Sequence, residues 1–130
     1  MKELNVAKTK LEEFDVEVRK YLSYAEIQAI VQTTLKLESW AERQTNIDML
    51  VLAYCTDISM EKLQEIGHEM LVESGLVEAV LRNIRNYYQI KKAISYEEGT
   101  VKVLNNIVKT LPKYQKELEK VIKHGKPDKK

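Results

Sequence analysis

Hydrophobic positions in this chain repeat mainly at helical spacing. A serine is followed three residues later by a glutamate at Ser23 with Glu26 and again at Ser39 with Glu42. This spacing is typical of the capping box that begins a helix. Apolar residues then recur every three or four positions. The pattern predicts a helix over residues 24–37 and a second over residues 40–56, joined by a tight turn near Glu38.

Both predicted helices have an apolar face. On the first it consists of Tyr24, Ile27, Ile30, Val31 and Leu35. On the second it consists of Trp40, Gln44, Ile47, Val51 and Tyr54. Residues 49–55 are apolar without interruption, and a helix that is apolar on all sides belongs in the middle of a bundle. We therefore predict that residues 49–55 are core rather than the wall of a binding pocket.

The remaining pattern predicts shorter elements and then one long helix. A cap at Asp57 and Ser59 favours a short helix that ends at Gly67. Residues 68–75 are predicted to be a connection. The longest helix is predicted over residues 76–98.

The C-terminal third predicts two further helices. Gly99 and Thr100 are expected to break the long helix, and a helix is predicted over residues 101–111. Pro112 suits the first turn of a last helix. Residues 124–130, which read HGKPDKK, are predicted to be a flexible basic tail.

The N-terminal residues 1–22 are predicted to form an arm, for which two interpretations remain open. Phe14, Val16 and Val18 alternate with polar residues, as in a short strand. Leu4, Ala7, Leu11, Phe14 and Val18 also have helical spacing. We expect a helical piece and then a brief extended stretch. With four Gly and two Pro in 130 residues, the predicted fold is all-α: a bundle of about five helices over residues 23–123, with a short N-terminal strand or extended arm.

Charge and cysteine content narrow the function classes. The formal net charge is +1, which argues against strong global attraction to nucleic acid or anionic membrane. No apolar run approaches the ~20 residues of a membrane span, so we expect no membrane partner. The single cysteine, Cys55, is expected in a reducing cytoplasm.

The sequence carries no pattern that indicates an enzyme, a cofactor or a metal site. Four scattered glycines form neither a phosphate-binding loop nor a dinucleotide fingerprint, and His68, His124 and Cys55 lack metal-ligand spacing. A nucleophilic pair of Cys55 with His68 and an acid–base pair of Asp48 with Asp57 are the remaining candidates. We predict instead that Cys55 is buried and inert, that Asp57 is a cap, and that Asp48 pairs with an arginine (Arg43 or Arg85) or faces solvent.

One segment, RNIRNYYQIKK, combines basic and aromatic residues. The candidate interaction residues are Arg82, Arg85, Tyr87, Tyr88, Lys91 and Lys92. Cations interleaved with tyrosines can bind phosphates and stack on bases, although a solvated helix face beside a core edge has the same composition. Residues 113–130 carry seven lysines and three acids, so this end of the chain is also basic.

Three stretches in fixed order resemble a family of small proteins encoded by tailed phages and prophages of Gram-positive bacteria. The stretches are VEVRKYLSYAEIQAIV, then VLAYCTDIS, then SGLVEAVLRNIRNYYQIKKAI, so that the resemblance covers about residues 14–95. The positions that carry it are Val16, Val18, Tyr21, Leu22, Ser23, Glu26, Tyr54, Asp57, Ala93 and Ile94. The RNYYQIKK segment departs from the Asn- and Gln-rich version of the family.

The resemblance implies a phage-encoded protein made in the cytoplasm of a bacterial host, and it implies no catalytic residue. We expect a non-enzymatic accessory protein that acts by protein–protein contact, with a phage structural protein or a host protein as partner, for example in head or tail assembly. The alternatives are an inhibitor of a host or defence factor and a nucleic-acid-binding module. A lone strand at residues 14–18 would leave backbone groups unpaired, so we also expect a homo-oligomer.

Overall fold

The computed structural model describes residues 4–100, 102–104 and 106. The chain divides into two compact units, Met1–Ile94 and Ser95–Lys130. In the first unit a two-stranded hairpin precedes a set of mainly short helices. The predicted all-α class is therefore right for most of the described chain, with an added N-terminal hairpin.

The hairpin consists of β1 (Lys8–Leu11) and β2 (Val16–Arg19), which pair antiparallel. Its turn contains Asp15, whose φ is +53°, a conformation that aspartate tolerates better than most residues. Val16 and Val18 face the core while Glu17 faces solvent, so the strand predicted from the alternation of apolar and polar residues is confirmed. The helical interpretation of residues 4–18 was wrong, and the strand is not alone, because β1 pairs with it.

Two cap serines begin α1 (Tyr24–Leu35) and α2 (Trp40–Cys55) as predicted. The Ser23 side chain accepts the Glu26 N–H at 3.1 Å, and the Glu26 carboxylate accepts the Ser23 N–H at 2.8 Å. At α2 only half of the box forms. Ser39 accepts a backbone N–H, but its own hydroxyl donates to the Glu42 carboxylate at 3.1 Å.

Three short helices follow: α3 (Met60–Ile66), α4 (His68–Glu73) and α5 (Leu76–Asn83). Gly67 ends α3 with a φ of +91°, as predicted. The prediction of a connection over residues 68–75 was wrong, because most of it is α4. Gly75, with a φ of +87°, separates α4 from α5.

The long helix predicted over residues 76–98 is interrupted. Residues 84–87 are not helical, and the chain becomes helical again from residue 88; we use α6 for residues 88–94, the part in the first unit. Gly99 and Thr100 are helical in the second unit, so the predicted break there was wrong. Residues 102–104 and 106 are helical. The helix predicted from Pro112 and the tail at residues 124–130 lie outside the described residues.

The interruption at residues 84–87 has a specific cause in the buried side chain of Asn86. Its amide donates to the Leu22 C=O and accepts the Leu22 N–H, both at 2.9 Å. The Arg85 N–H donates to the Lys20 C=O at 2.8 Å. These bonds satisfy buried backbone groups that follow β2, and they hold residues 84–87 out of helical geometry.

The core of the first unit takes residues from the hairpin and from every helix. Its most deeply buried members are Val18, Ile30, Val31, Val51, Leu52, Leu63, Leu71, Val80 and Ile90. Of the predicted core run, Val51, Leu52 and Cys55 are buried, whereas Leu50 and Met49 are half-buried. The opening residue of each of the first two helices was placed wrongly, because Tyr24 and Trp40 are each 77% exposed.

Candidate functional site

Five of the six predicted interaction residues are exposed. Tyr88 is 61% exposed to solvent. The exposed cations are Arg82, Arg85, Lys91 and Lys92. Tyr87 is the exception, since it is half-buried and packs against the core. The structure therefore separates the pair of adjacent tyrosines into one outward and one inward side chain.

Arg85, Tyr88, Lys91 and Lys92 define what we call the α6 surface. Tyr88, Lys91 and Lys92 stand at i, i+3 and i+4, which places them on one face of the helix. Arg85 precedes them in the interruption, where its backbone bond to Lys20 fixes the position of the turn. The same hydrogen bonds that interrupt the helix therefore also position this surface.

The α6 surface concentrates positive charge. Residues 79–96 contain four basic and no acidic residues, so the remainder of the chain sums to −3 against a total of +1. Elsewhere in the first unit, several cations have carboxylate partners: Lys8 with Glu17, Lys10 with Asp15, Arg19 with Glu26 and Lys62 with Glu65. No ion pair joins Arg85, Lys91 or Lys92 to another residue in the described part of the chain.

The inward tyrosine lies beside a buried polar network. The Gln44 amide donates to Asp48 Oδ1 at 2.8 Å, and Asp48 Oδ2 lies 2.7 Å from His68 Nε2. The network joins α2 to α4, and it satisfies a carboxylate that is almost fully buried. Burial raises the pKa of the Tyr87 hydroxyl, while the neighbouring Gln44 acts in the opposite direction.

The predicted partner of Asp48 was wrong. Asp48 bonds to His68 and Gln44 rather than to an arginine, and it does not face solvent. Arg43 instead donates to the Leu37 C=O at 2.8 Å. His68 was missed because residues 68–75 were predicted to be a connection, and only the presence of α4 places its ring beside α2.

The geometry of this network favours a structural role over catalysis. His68 Nδ1 lies 3.5 Å from the Thr45 hydroxyl, which is long for a hydrogen bond. That hydroxyl is also engaged with the Ala41 C=O at 2.9 Å. A nucleophile activated by a base requires its proton to be directed at the base, and here it is directed at a carbonyl.

A cleft of about 560 Å³ lies against the network. Val72, Val77 and Leu81 give it an apolar floor. Its polar groups come from α2 and α5, namely Gln44, Asp48, Glu78 and Arg82. Arg82, the sixth predicted interaction residue, therefore borders this cleft.

The cysteine is buried against a different set of residues. Burial raises the pKa of the Cys55 thiol, while the neighbouring Arg19 guanidinium acts in the opposite direction. A protonated thiol is a poor nucleophile. Both ring nitrogens of His68 face Asp48 and Thr45, so the structure does not bring a Cys55–His68 pair together.

Residues that carry the phage-family resemblance have structural positions here. Val16, Val18 and Leu22 are core residues. Glu26 pairs with Arg19 and also accepts the Ser23 N–H, so it joins β2 to the start of α1. These residues therefore support the fold of this chain and are not placed to bind a partner through an exposed surface.

Among the described residues, no group of three or more His, Cys, Asp or Glu side chains is arranged to hold a metal ion. None of the described helices has the length and apolar content needed to cross a membrane.

Comparisons with protein-family models, with curated proteins and with solved structures give no match for this chain. The resemblance to the phage family stays a prediction.

Proposed function

We propose that this protein is a non-enzymatic binding protein whose α6 surface contacts an acidic surface on a protein partner. The observation that carries the proposal is the cluster of exposed cations beside Tyr88 that have no carboxylate partner among the described residues. Tyrosine and arginine are enriched in protein interfaces, and a positive patch steers association with a negative one.

The proposed setting is the cytoplasm of a bacterial host during phage growth. The resemblance across residues 14–95 supports it, and assembly of the phage head or tail is the favoured process. Inhibition of a host or defence factor is the alternative. A gene position among head and tail genes supports assembly, whereas a position among early genes supports inhibition.

A protein partner fits the charge distribution better than a nucleic acid does. Residues 1–78 carry eight basic and fifteen acidic residues, so a long polyanion would meet repulsion from that part of the chain beside the α6 surface. Single-stranded nucleic acid is the second candidate, and the exposed Tyr88 favours it because a tyrosine between cations can stack on a base.

Capture from host cells tests the proposal with two matched double variants. Lys91→Glu/Lys92→Glu reverses the α6 surface, and Lys36→Glu/Lys62→Glu reverses two exposed lysines elsewhere. Both doubles lower the net charge by four. We expect tagged wild type and the Lys36/Lys62 double to retain the same acidic protein, identified by mass spectrometry, and the Lys91/Lys92 double to lose it.

Titration with labelled single-stranded oligonucleotides separates the two candidates. A protein partner predicts no measurable binding at physiological salt. Nucleic-acid binding predicts an affinity that falls with salt by roughly 0.7 logarithmic units per phosphate contacted. Two outcomes would contradict the proposal. One is that both double variants lose the captured protein equally, and the other is that the oligonucleotide binds with that salt dependence.

A further inference from the structure

Trp40 is the only tryptophan of the chain, and it is 77% exposed. It is the first residue of α2, where the sequence pattern placed it in the core. A tryptophan side chain has roughly 150–250 Å² of surface to bury. Exposed tryptophans are frequent anchors of protein interfaces, because they bring a large apolar area with few rotatable bonds.

The cleft described above begins one helical turn away on the same side of α2. Trp40 and Gln44 are four residues apart and therefore share a helix face, and Gln44 lines the cleft. Trp40 is not among the lining residues. A protruding indole and a cleft thus stand side by side on one surface.

The chemistry of the cleft suits an indole ring. Val72, Val77 and Leu81 provide the apolar floor. Arg82 is an exposed cation, which can lie over the face of a tryptophan ring. The exposed carboxylate of Glu78 lines the same cleft and can accept the indole N–H, which a buried tryptophan usually donates.

We propose that the occupant of this cleft is Trp40 of a second copy of the chain, in a two-fold symmetric dimer. A two-fold interface uses the same patch on both copies, so it must contain both the inserted group and the site that receives it. This patch also carries exposed charges of both signs, Glu78 and Arg82, so each charge has an opposite charge to pair with on a second copy. The proposal is independent of the α6 surface and its partner.

The expected dimer is weak. Two inserted tryptophans and the matching cleft surfaces would bury roughly 600–1,000 Å² in total, which is at the low end for specific interfaces. The interface is therefore expected to form and dissociate with concentration rather than persist as an obligate dimer.

Sedimentation and tryptophan fluorescence test the dimer together. Both are measured while the protein concentration rises from about 1 µM to about 1 mM. We expect the mass to rise from 15.1 kDa toward twice that value. Because the chain has one tryptophan, its emission reports on Trp40 alone and should shift to shorter wavelength along the same concentration curve. A single species of 15.1 kDa with constant emission throughout overturns the proposal.

Two single variants and their controls locate the interface. Trp40→Ala should abolish the rise in mass, while Tyr24→Ala, equally exposed and also the first residue of a helix, should retain it. Val72→Lys, in the cleft, should abolish the rise, while Met70→Lys, exposed on the same helix α4, should retain it. Far-UV circular dichroism checks that each variant is folded. A dimer that survives Trp40→Ala or Val72→Lys overturns the proposal.

Mixing the two variants that are expected not to dimerise alone, Trp40→Ala and Val72→Lys, gives the most specific test. In a dimer of Trp40→Ala with Val72→Lys, one intact tryptophan faces one intact cleft, although neither variant has such a contact with itself. Trp40→Ala protein has no tryptophan emission, so a shift to shorter wavelength on its addition to Val72→Lys protein reports that contact directly. Unchanged emission up to about 1 mM of added protein contradicts it.

Discussion

Asn86 and Lys92 are six residues apart in the chain, and the structure treats these two polar side chains in opposite ways. Asn86 is buried, and both ends of its amide bond to Leu22. Lys92 is exposed and has no ion pair with another described residue. The same contrast separates the Asp48 network from the whole α6 surface. Polar groups with complete sets of partners hold this fold together, and those without partners are available to bind something else.

The largest loss of stability is expected when an unpaired charge is placed in the core. Leu52 is fully buried, so Leu52→Asp should cost several kcal/mol against a total stability of ~5–15, and we expect unfolded or insoluble protein. Leu50→Asp is the control, because its half-buried side chain lines an open groove where the carboxylate stays hydrated. Circular dichroism and thermal melting should give a much lower helical content and melting temperature for Leu52→Asp than for Leu50→Asp. Equal losses in the two variants would show that burial does not determine how strongly the charge destabilises the fold.

Removing the Asn86 side chain should leave two buried backbone groups without hydrogen bonds. In Asn86→Ala the buried N–H and C=O of Leu22 lose their hydrogen bonds, which should cost roughly 2–4 kcal/mol in free energy of unfolding. Asn83→Ala is the matched control, since its amide donates only to the Ala79 C=O within α5 and should cost about 1 kcal/mol or less. Urea denaturation measures both, and a cost no larger for Asn86→Ala than for Asn83→Ala would contradict the assigned role.

High pH should destabilise the folded protein through ionisation of Tyr87. Burial raises its pKa above the ordinary 10.0, so above that pH the unfolded chain loses a proton that the folded chain keeps. The free energy of unfolding is then unaffected by this group below pH 10.0 and falls as pH rises through the folded-state pKa. Urea denaturation across this range should give a shallower decline for Tyr87→Phe than for wild type; parallel curves would show that Tyr87 is not responsible.

The smallest effect on stability is expected on the α6 surface. Lys91→Glu/Lys92→Glu changes two exposed side chains that have no described ion-pair partner, so the free energy of unfolding should change by no more than about 0.5 kcal/mol. A larger loss in thermal or urea denaturation would mean that these lysines support the fold. The unchanged stability is also what makes the double variant a clean test of binding.

Local signals predicted the parts of the fold that depend on neighbouring residues. Ser23 with Glu26, Ser39 and Gly67 mark helix ends through bonds that span three or four positions, and these ends were right to within about two residues. The alternation of Val16 and Val18 predicted β2. The cluster of Arg82, Arg85, Lys91 and Lys92 was visible in the sequence, and three of these four cations lie in the α6 surface.

Features that depend on distant residues were missed for a physical reason. The interruption at residues 84–87 is produced by a side-chain bond from Asn86 to Leu22, and no local pattern shows it. His68 became a partner of Asp48 only because six residues after Gly67 form α4. Trp40 continues the apolar periodicity of α2, yet at the first turn of the helix no other described element covers it.

The bond between Asn86 and Leu22 joins residues separated by 64 positions, and this has a consequence for synthesis on the ribosome. At about 5–20 residues per second, roughly 3–13 s pass between incorporation of Leu22 and incorporation of Asn86. Throughout that interval the backbone after the hairpin has no partner for these hydrogen bonds. The N-terminal hairpin therefore cannot reach its final packing until the segment around Asn86 has left the ribosome, however early its own two strands pair.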